Sequence, residues 1–409
     1  FRGHSVGSAP PGVPVWPVLA QFPDRLGDKA VPDALAELGR TGEAETHYRK
    51  ALESDPGNAD GHAGLAALWE RASRLGEALD EAGTALKSEP RHVRATVLAA
   101  RCVRRLGRLE AGRARLAEIS APSVYDALDD ASRAFIAFEM ATTLDRLGDY
   151  RAAFRWFGEG TRMIMQGPQA RRINVEAFPR AVARLAERFS REWVATWTPP
   201  APFDRARRGG ISPAFLIGFP RSGTTLLDQV LNAHPALVTL EEKPVLDAVK
   251  RALEARPEGY PEALAALAED EIAALRDIYF AELAKHLPEG PAPHGRAGRT
   301  GIVIDKMPLN AIDAGLIWRL FPDAKIILAL RHPCDVVLSG FMQAFRPNAA
   351  MVRFSTLGDT AALYAQVMAL WRRYAEILPL SVLTTRYADL VADFPAETRR
   401  ILDALGLPW

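Results

Sequence analysis

The chain has 409 residues, 48% of them hydrophobic and 25% charged, an ordinary composition for a globular protein of two or three domains. Its 51 Lys and Arg residues balance its 50 Asp and Glu residues, so no broad nucleic-acid-binding or membrane-binding surface is expected. Cys102 and Cys334 are its two cysteines, which favours a reducing cytoplasm over a disulfide framework. Because no long apolar run occurs, we expect no membrane span.

The first 29 residues are interrupted repeatedly by Pro and Gly, as in FRGHSVGSAPPGVPVWPVLAQFP. A signal peptide needs a continuous apolar centre, which this segment lacks. The chain also starts at Phe1 rather than at Met. We therefore expect residues 1–29 to be a disordered leader or the edge of a fragment.

The next segment repeats itself with a period of 34 residues. EAETHYRKALESDP, from Glu43 to Pro56, recurs as EALDEAGTALKSEP, from Glu77 to Pro90. This period is typical of the tetratricopeptide helix pair, in which small residues let the helices approach and a proline ends the second helix. We predict an all-α tetratricopeptide solenoid over residues 30–195. A generic Ala-rich helical bundle is the alternative.

Weaker copies of the repeat follow. Leu106 to Ile119 forms a degenerate third copy, and Leu144 to Gly160 restores the pattern, with Phe154 and Phe157 expected on its buried stripe. A helix near residues 174–192 is expected to cap the array. Such solenoids contact a peptide or a helix through their curved face, so a protein or peptide partner is expected there. No ligand-specific residue is apparent on it.

A Pro-, Gly- and Arg-rich stretch, residues 196–212, is interpreted as a linker. Beyond it, short apolar runs alternate with helical stretches, which is typical of a parallel sheet covered by helices. We therefore predict an α/β, P-loop-like domain over residues 213–409. Its expected strands are Ala214 to Phe219, Gly301 to Lys306, Ala324 to Arg331 and Leu380 to Tyr387.

Polar residues follow each expected strand at its carboxyl end, where ligands bind in sheets of this type. They are the loop after the first strand, then Lys306, Arg331 and Tyr387. Four such placements indicate a binding edge more strongly than any one motif does.

The loop after the first strand, GFPRSGTT from Gly218, nearly matches a nucleoside-triphosphate-binding loop. The glycine spacing to Gly223 is kept, but Thr224 replaces the lysine that reaches the β- and γ-phosphates. A P-loop kinase would need that lysine and acidic metal ligands, so this class is disfavoured. A glycine-containing turn without a ligand is the other alternative.

Two motifs in this half resemble those of the sulfotransferase family. FPRSGTTLLDQVLNAHPALVTLEEKPVL, from Phe219 to Leu246, resembles its first signature, within the protein-tyrosine sulfotransferase branch. LALRHPCDVVLSGF, from Leu328 to Phe341, resembles the second. The resemblance covers about residues 213–409 and implies the sulfotransferase fold. Together with the repeats, it is similar to a bacterial tetratricopeptide–sulfotransferase architecture.

The resemblance implies 3′-phosphoadenosine 5′-phosphosulfate (PAPS) as the sulfate donor, without a metal. This donor has no γ-phosphate, which explains the missing lysine. Its 5′-phosphosulfate would be held by backbone N–H groups at a helix start. The residues implied are Arg221, Ser222, Gly223, Thr224 and Thr225.

Arg331 and Ser339 match the residues that bind the 3′-phosphate of the donor in the family, with an ordinary strand-end ion pair as the alternative for Arg331. Arg331 ends a strand, Pro333 opens a helix and Ser339 follows within its first two turns, so both side chains can face one phosphate. Tyr387 matches a residue near the nucleotide, although an aromatic filling the strand-end layer is an open alternative.

Catalytic roles fall on Glu242 and Lys306. Glu242 matches the general base that takes the proton of the acceptor hydroxyl, with Glu241 and His234 as rivals. Lys306 matches a lysine at the bridging oxygen, where negative charge grows in the transition state. An ion pair between Lys306 and Asp305 is its structural alternative.

The sequence departs from the family at two places. Secreted tyrosine sulfotransferases carry a cysteine before the glutamates and another before the lysine, and this chain has neither, so no disulfide is expected there. Family segments beyond the LGLPW-like stretch contact the donor, whereas this chain ends at Trp409 and its domain looks truncated. We expect the full-length protein to bind PAPS and this chain to bind it weakly or not at all.

The predicted function is therefore PAPS-dependent sulfuryl transfer to a hydroxyl acceptor. A protein or peptide tyrosine, a carbohydrate, a lipid or a small molecule could each serve as the acceptor. The alternative is a repeat-based protein-binding scaffold with a degenerate or incomplete nucleotide-binding domain.

Overall fold

A computed structural model describes residues 30–37, 40–204, 211–287 and 301–409. The expected leader, residues 1–29, and part of the expected linker, 205–210, lie outside the described residues. None of the described helices is both long enough and apolar enough to cross a bilayer. Both cysteines are free thiols, with Cys102 buried and Cys334 exposed.

The first part of the described chain is helical, as predicted. Ala44 and Ala78, which occupy equivalent positions 34 residues apart, are both completely buried where helices meet. A Cβ atom on Gly64 would lie 2.1 Å from the ring of Tyr48, so a small residue is required at that contact. The helices are α1 (Ala30–Glu37), α2 (Thr41–Ser54), α3 (Ala59–Arg71), α4 (Leu75–Ser88), α5 (Val93–Arg105), α6 (Leu109–Ser120), α7 (Pro122–Tyr125), α8 (Asp130–Arg146), α9 (Tyr150–Gln166) and α10 (Pro168–Arg171).

The bounds of these helices keep the 34-residue period: α2 and α4 are offset by it, and so are α3 and α5. The tetratricopeptide assignment itself stays a prediction. One detail of it was wrong. Phe157 is buried as expected, but Phe154 is 49% exposed, because the buried stripe of α9 runs through Ala153, Phe157 and Gly160 at helical spacing.

The chain divides into two compact units. One contains the described residues up to Ile173 together with Met342–Ser355, and the other contains Asn174–Phe341 and Thr356–Trp409. Within the first unit, the Gln169 amide donates a hydrogen bond to the carbonyl of Pro347, over 3.2 Å. The predicted domain bounds, with a helical domain ending at residue 195, stay a prediction.

The second unit begins with α11 (Ala177–Arg188) and α12 (Arg191–Val194). That a helix near residues 174–192 caps the repeats stays a prediction. α11 packs against the helix Leu357–Ile377 of its own unit, and the Phe189 ring that follows it lies 4.8 Å from the ring of Tyr374.

A five-stranded parallel sheet forms the centre of the described part of this unit, in the order β2-β3-β1-β4-β5. The four predicted strands are present, and the prediction of a parallel sheet covered by helices is confirmed. The strand Leu237–Glu241 was missed, since five residues ending in an acid give a weak pattern. The strands are β1 (Ser212–Gly218), β2 (Leu237–Glu241), β3 (Ile302–Lys306), β4 (Lys325–Leu330) and β5 (Ser381–Arg386).

Helices and two 3₁₀ segments connect or flank these strands. The helices are α13 (Thr224–Asn232), α14 (Val245–Glu254), α15 (Ala263–Ala266), α16 (Glu269–Ala284), α17 (Ala314–Leu320), α18 (Pro333–Phe341), α19 (Leu357–Ile377), α20 (Tyr387–Ala392) and α21 (Phe394–Leu405). The 3₁₀ segments are Pro308–Asp313 and Met351–Phe354.

Part of the expected linker, residues 196–212, is packed into the second unit. Trp197 is buried, and the guanidinium carbon of Arg319 lies 5.4 Å from the centre of its ring. The fully buried Arg319 donates hydrogen bonds to the carbonyls of Thr198 and Leu267. Two carbonyls therefore help to satisfy a buried cation, which the sequence pattern did not reveal.

Asp305 makes the stability of this unit depend on pH. It is fully buried and accepts a hydrogen bond from the hydroxyl of Tyr279, over 3.2 Å. Burial raises the pKa of Asp305 from 3.8 to about 7. Because the folded-state pKa is raised, the stabilising contribution of the protonated form is complete below pH 3.8 and is lost as pH rises through about 7.

We expect Asp305→Asn to stabilise the protein at pH 8, by up to about 4 kcal/mol at the linkage value of about 1.4 kcal/mol per pKa unit. The advantage should shrink towards pH 4, and urea unfolding at both pH values measures it. Asp313→Asn is the control, since Asp313 accepts hydrogen bonds from Lys250 and Tyr260, each over 2.9 Å, and its loss should destabilise at both pH values. If Asp305→Asn changed the free energy of unfolding equally at both pH values, the raised pKa of Asp305 would be contradicted.

Candidate functional site

The carboxyl ends of the strands bring the predicted residues to one edge of the sheet. In the strand register Lys306 pairs with both Leu216 and Glu241, and Gly218 pairs with Ala329. β1 lies between β3 and β4. β2 and β3 lie on one side of β1, whereas β4 and β5 lie on the other, so β1 marks the topological switch point of the sheet. Open α/β sheets bind ligands at such a switch point, and the loop after β1 lies there.

The loop between β1 and α13 has the backbone of an anion-binding turn. Arg221 and Gly223 have positive φ angles of 76° and 98°, and α13 begins at Thr224. N–H groups in the first turn of a helix have no intrahelical acceptor and lie at its positive end. A Cβ atom on Gly218 would lie 2.6 Å from the carbonyl oxygen of Ala329, so glycine is required where β1 enters the loop.

The loop also carries a buried polar atom. The hydroxyl oxygen of Ser222 is buried and has no hydrogen-bond partner among the described residues. A buried hydroxyl without a partner is costly, so this atom is available to a ligand in the turn. Thr224 is buried and Thr225 is exposed at the start of α13.

Gly223 is the glycine of this loop on which a substitution should have the largest effect. Its φ is 98°, and an added Cβ would lie 2.7 Å from Cδ2 of Tyr387. We expect Gly223→Ala to cost about 1–3 kcal/mol of stability and to weaken binding of an anionic ligand in the loop by about tenfold or more. Thermal unfolding and calorimetric titration of the full-length protein with PAPS measure the two effects.

Gly406→Ala is the matched control, because Gly406 has a φ of 72° but no neighbouring atom within 4 Å of an added Cβ. Gly406→Ala should lower the stability through backbone strain without weakening the binding of PAPS. Equal losses of PAPS affinity in the two variants would mean that the contact with Tyr387 does not matter.

The two predicted phosphate-binding regions meet in the structure. Nε of Arg221 donates to the hydroxyl of Ser339 over 3.0 Å. The guanidinium carbon of Arg331 lies 4.7 Å from the ring centre of Tyr387, the same ring that faces Gly223. The residues that the sequence analysis placed at opposite ends of one ligand therefore form a single cluster.

The cluster is electropositive. Partial burial lowers the pKa of the Arg221 guanidinium, and the nearby charge of Arg331 lowers it further. The buried Nε of Arg331 makes an ion pair of 3.5 Å with Oδ2 of Asp335 but no hydrogen bond with any described residue. Two arginines with donor capacity left over are arranged to bind an anion.

Lys306 and the two glutamates form the second part of the site. The Lys306 side chain is completely buried, and its ammonium nitrogen lies 3.1 Å from Oε1 of Glu241 and 3.1 Å from Oε1 of Glu242. Both carboxylates are about half exposed. Distance to Lys306 therefore does not distinguish the predicted base from its neighbour.

The backbone does distinguish the two glutamates. Glu242 has a φ of 50°, and its N–H donates to the carbonyl of Lys306 over 2.7 Å. Glu241 still belongs to β2 in ordinary register. A non-glycine residue with positive φ is uncommon and often marks a functional position. The negative charge of Glu242 also acts on Arg221, whose pKa it raises against the larger lowering effect of burial.

The structural alternatives for two residues are resolved. Lys306 does not pair with Asp305, because adjacent strand residues point to opposite faces and Asp305 contacts Tyr279. His234, the rival base, uses both ring nitrogens on the backbone. Its Nδ1 accepts from the N–H of Ala236 over 3.1 Å, so its Nε2 donates to the carbonyl of Pro408 over 3.0 Å.

One polar residue of the site was missed by the sequence analysis. Asp228 is 2% exposed and lies on the buried stripe of α13 with Thr224, Leu227 and Leu231. Burial raises the pKa of its carboxyl, while a hydrogen bond from Thr239 and the charge of Lys306 lower it. An acid at an apolar position of a helical pattern was the signal that could have revealed it.

No group of three or more His, Cys, Asp or Glu side chains within the described ranges is arranged to hold a metal ion. The carboxylates of Glu241 and Glu242 are directed instead at the ammonium group of Lys306.

Comparisons with known proteins agree with these features. Residues 213–409 match the model of a family described as the sulfotransferase family. An uncharacterized protein of Aquifex aeolicus is 25% identical over 291 residues, which cover 68% of this chain and 35% of that protein. The protein-tyrosine sulfotransferase of Drosophila melanogaster is 25% identical over 203 residues, which cover 48% of this chain and 38% of that protein.

Among solved structures, a sulfotransferase domain from the curacin biosynthetic pathway aligns with 51% of this chain and 76% of its own length, at 22% identity and a TM-score of 0.33. The chain spans between 35% and 51% of the length of the curated relatives that it matches.

Proposed function

We propose that residues 213–409, which belong to the sulfotransferase family, transfer a sulfuryl group from PAPS to a hydroxyl acceptor. The observation that carries this proposal is the cluster at the sheet edge. The hydrogen bond between Arg221 and Ser339 joins the turn after β1 to the helix after β4, so one doubly phosphorylated nucleotide can contact both.

The chemistry of the cluster fits the proposed donor. The 5′-phosphosulfate requires N–H and hydroxyl donors, which residues 221–225 supply at the start of α13. The 3′-phosphate requires paired cationic donors, which Arg331 with Ser339 can supply. The buried hydroxyl of Ser222 has no hydrogen-bond partner in the described structure, and the buried Nε of Arg331 has the ion pair with Asp335 but no hydrogen bond. Gly223 leaves no room for a side chain.

The proposed transfer needs no covalent enzyme intermediate. Glu242 accepts the proton of the acceptor hydroxyl while the oxygen of that hydroxyl forms a bond to sulfur. The bond between sulfur and the bridging oxygen breaks, and adenosine 3′,5′-bisphosphate leaves with both electrons of that bond. Lys306 stabilises the charge that grows on the bridging oxygen, and residues 221–225 hold the sulfate in line.

The proposed acceptor class rests on the names of the matched relatives. The matched relatives from fly, chicken and nematode are named as protein-tyrosine sulfotransferases, which favours a phenolic or alcoholic hydroxyl here. We propose that the N-terminal helices, as a tetratricopeptide solenoid, help to bind a protein or peptide acceptor. The two free cysteines support the cytoplasm as its location.

Calorimetric titration of the full-length protein with nucleotides tests the donor assignment. PAPS should bind more tightly than adenosine 5′-phosphosulfate, which lacks the 3′-phosphate, and Mg-ATP should not compete. Arg331→Ala should remove the preference for PAPS without affecting the weaker ligand. Tight Mg-ATP binding, or equal affinity for the two sulfated nucleotides, would overturn the proposal.

Sulfate transfer itself is measured with ³⁵S-labelled PAPS and a cell lysate, with the labelled product identified afterwards. Binding of PAPS without transfer to any lysate component would favour the alternative, a scaffold with a degenerate catalytic domain.

A further inference from the structure

The core-facing side of α13 carries an acid directly behind the proposed catalytic groups. Thr224, Leu227, Asp228 and Leu231 form its buried stripe, and Asp228 is 2% exposed. A carboxylate in such a position is costly unless a cation or hydrogen-bond donors compensate it. Asp228 therefore has a reason to be there other than apolar packing.

Lys306 is a cation whose charge acts on Asp228. The hydroxyl of Thr239 favours the ionised form of Asp228, and Oδ1 of Asp228 has no hydrogen-bond partner among the described residues. α13 packs on β1 and β2, and on β2 the side chains of Thr239 and Glu241 point to the same face. Since Glu241 pairs in register with Lys306, Lys306 lies on that face too.

The charged groups that act on Asp228 are Lys306, Glu241 and Glu242. Burial opposes the ionised form of Asp228 most strongly, Lys306 favours that form, and the two glutamates oppose it. Glu241 and Glu242 pair directly with Lys306, and Asp228 is a third carboxylate on which the charge of Lys306 acts. The three carboxylates differ in mobility, because the two glutamate side chains are about half exposed and can turn towards water, whereas the buried Asp228 cannot.

We infer that Asp228 is a positioning residue that keeps the ammonium group of Lys306 at the reacting centre. The inference rests on the proposed function. When Glu242 takes the acceptor proton it loses its charge, and a bound donor draws Lys306 away from Glu241. Asp228 then remains as the fixed counter-charge that the fully buried Lys306 requires.

The test is Asp228→Asn in the full-length protein, which keeps the shape of the side chain and removes the charge. We expect kcat to fall by up to about a hundredfold, the effect of a misplaced catalytic group. The affinities for PAPS and for adenosine 3′,5′-bisphosphate, measured by calorimetry, should not change. Asp305→Asn is the matched control, a buried acid next to Lys306 in sequence but on the other face of β3, and should retain full activity.

A double-mutant cycle separates positioning from a structural role. With Lys306→Met already present, Asp228→Asn should have no further effect on kcat if it acts through Lys306. Losses that multiply would overturn the inference, and so would an unchanged kcat in Asp228→Asn.

A second variant and the unmutated protein complete the test. If Asp228→Asn does not fold, Thr239→Val, which removes a hydroxyl that favours the ionised form of Asp228, should also lower kcat, and an unchanged kcat would count against the inference. If the unmutated protein neither binds PAPS nor transfers sulfate, the proposed function fails, and this inference with it. If the unmutated protein transfers sulfate but the Asp228 variants do not change kcat as expected, only this inference is overturned and the proposed function is unaffected.

Discussion

Replacing Glu242 by Gln should lower the rate of sulfate transfer by about 10²–10⁴-fold, the range that a positioned general base contributes. PAPS should still bind, because the groups proposed to hold it belong to the loop after β1 and to the cluster of Arg331 and Ser339. Steady-state rates with ³⁵S-labelled PAPS measure the first effect, and calorimetry measures the second.

Glu241→Gln is the matched control for this prediction. Both glutamates lie 3.1 Å from the ammonium nitrogen of Lys306, so both variants remove one ion-pair partner of the lysine. Only Glu242 has the left-handed backbone that turns it out of β2. If Glu241→Gln shows the larger loss of kcat, the base is Glu241 and the assignment here is wrong.

Lys306→Met should reduce kcat by about 10²–10³-fold, the loss expected when one fixed donor to a developing negative charge is removed. The effect on PAPS affinity should be much smaller, since the charge on the bridging oxygen grows only as the bond to sulfur breaks. Glu241 and Glu242 are about half exposed and can be solvated in the variant. The fold should therefore survive, which a thermal unfolding curve checks.

Lys325→Met is the control for the loss of a lysine from this sheet. Lys325 is exposed, begins β4 at the amino end of the sheet and donates to the hydroxyl of Ser381 over 3.0 Å. Its replacement should leave transfer unchanged. A Lys306→Met protein that keeps kcat within a few-fold of the unmutated one would remove Lys306 from the proposed mechanism.

Local patterns were sufficient to predict the elements that carry the site. The glycine spacing from Gly218 to Gly223 predicted a strand, an anion-binding turn and a helix. The order of Arg331, Pro333 and Ser339 predicted a strand end followed by a helix start. These features depend on dihedral preferences and on short-range periodicity, which a few consecutive residues determine.

Partners and burial were decided only by the folded chain. Strand register brings both Glu241 and Glu242 to Lys306, and it separates Lys306 from Asp305, its neighbour in sequence. The packing of α13 on β1 and β2 accompanies the burial of Asp228, and the two terminal nitrogens of the buried Arg319 donate to the carbonyl groups of Thr198 and Leu267. Such pairings join residues far apart in the chain, and their free energy depends on distance and desolvation, which a linear pattern does not contain.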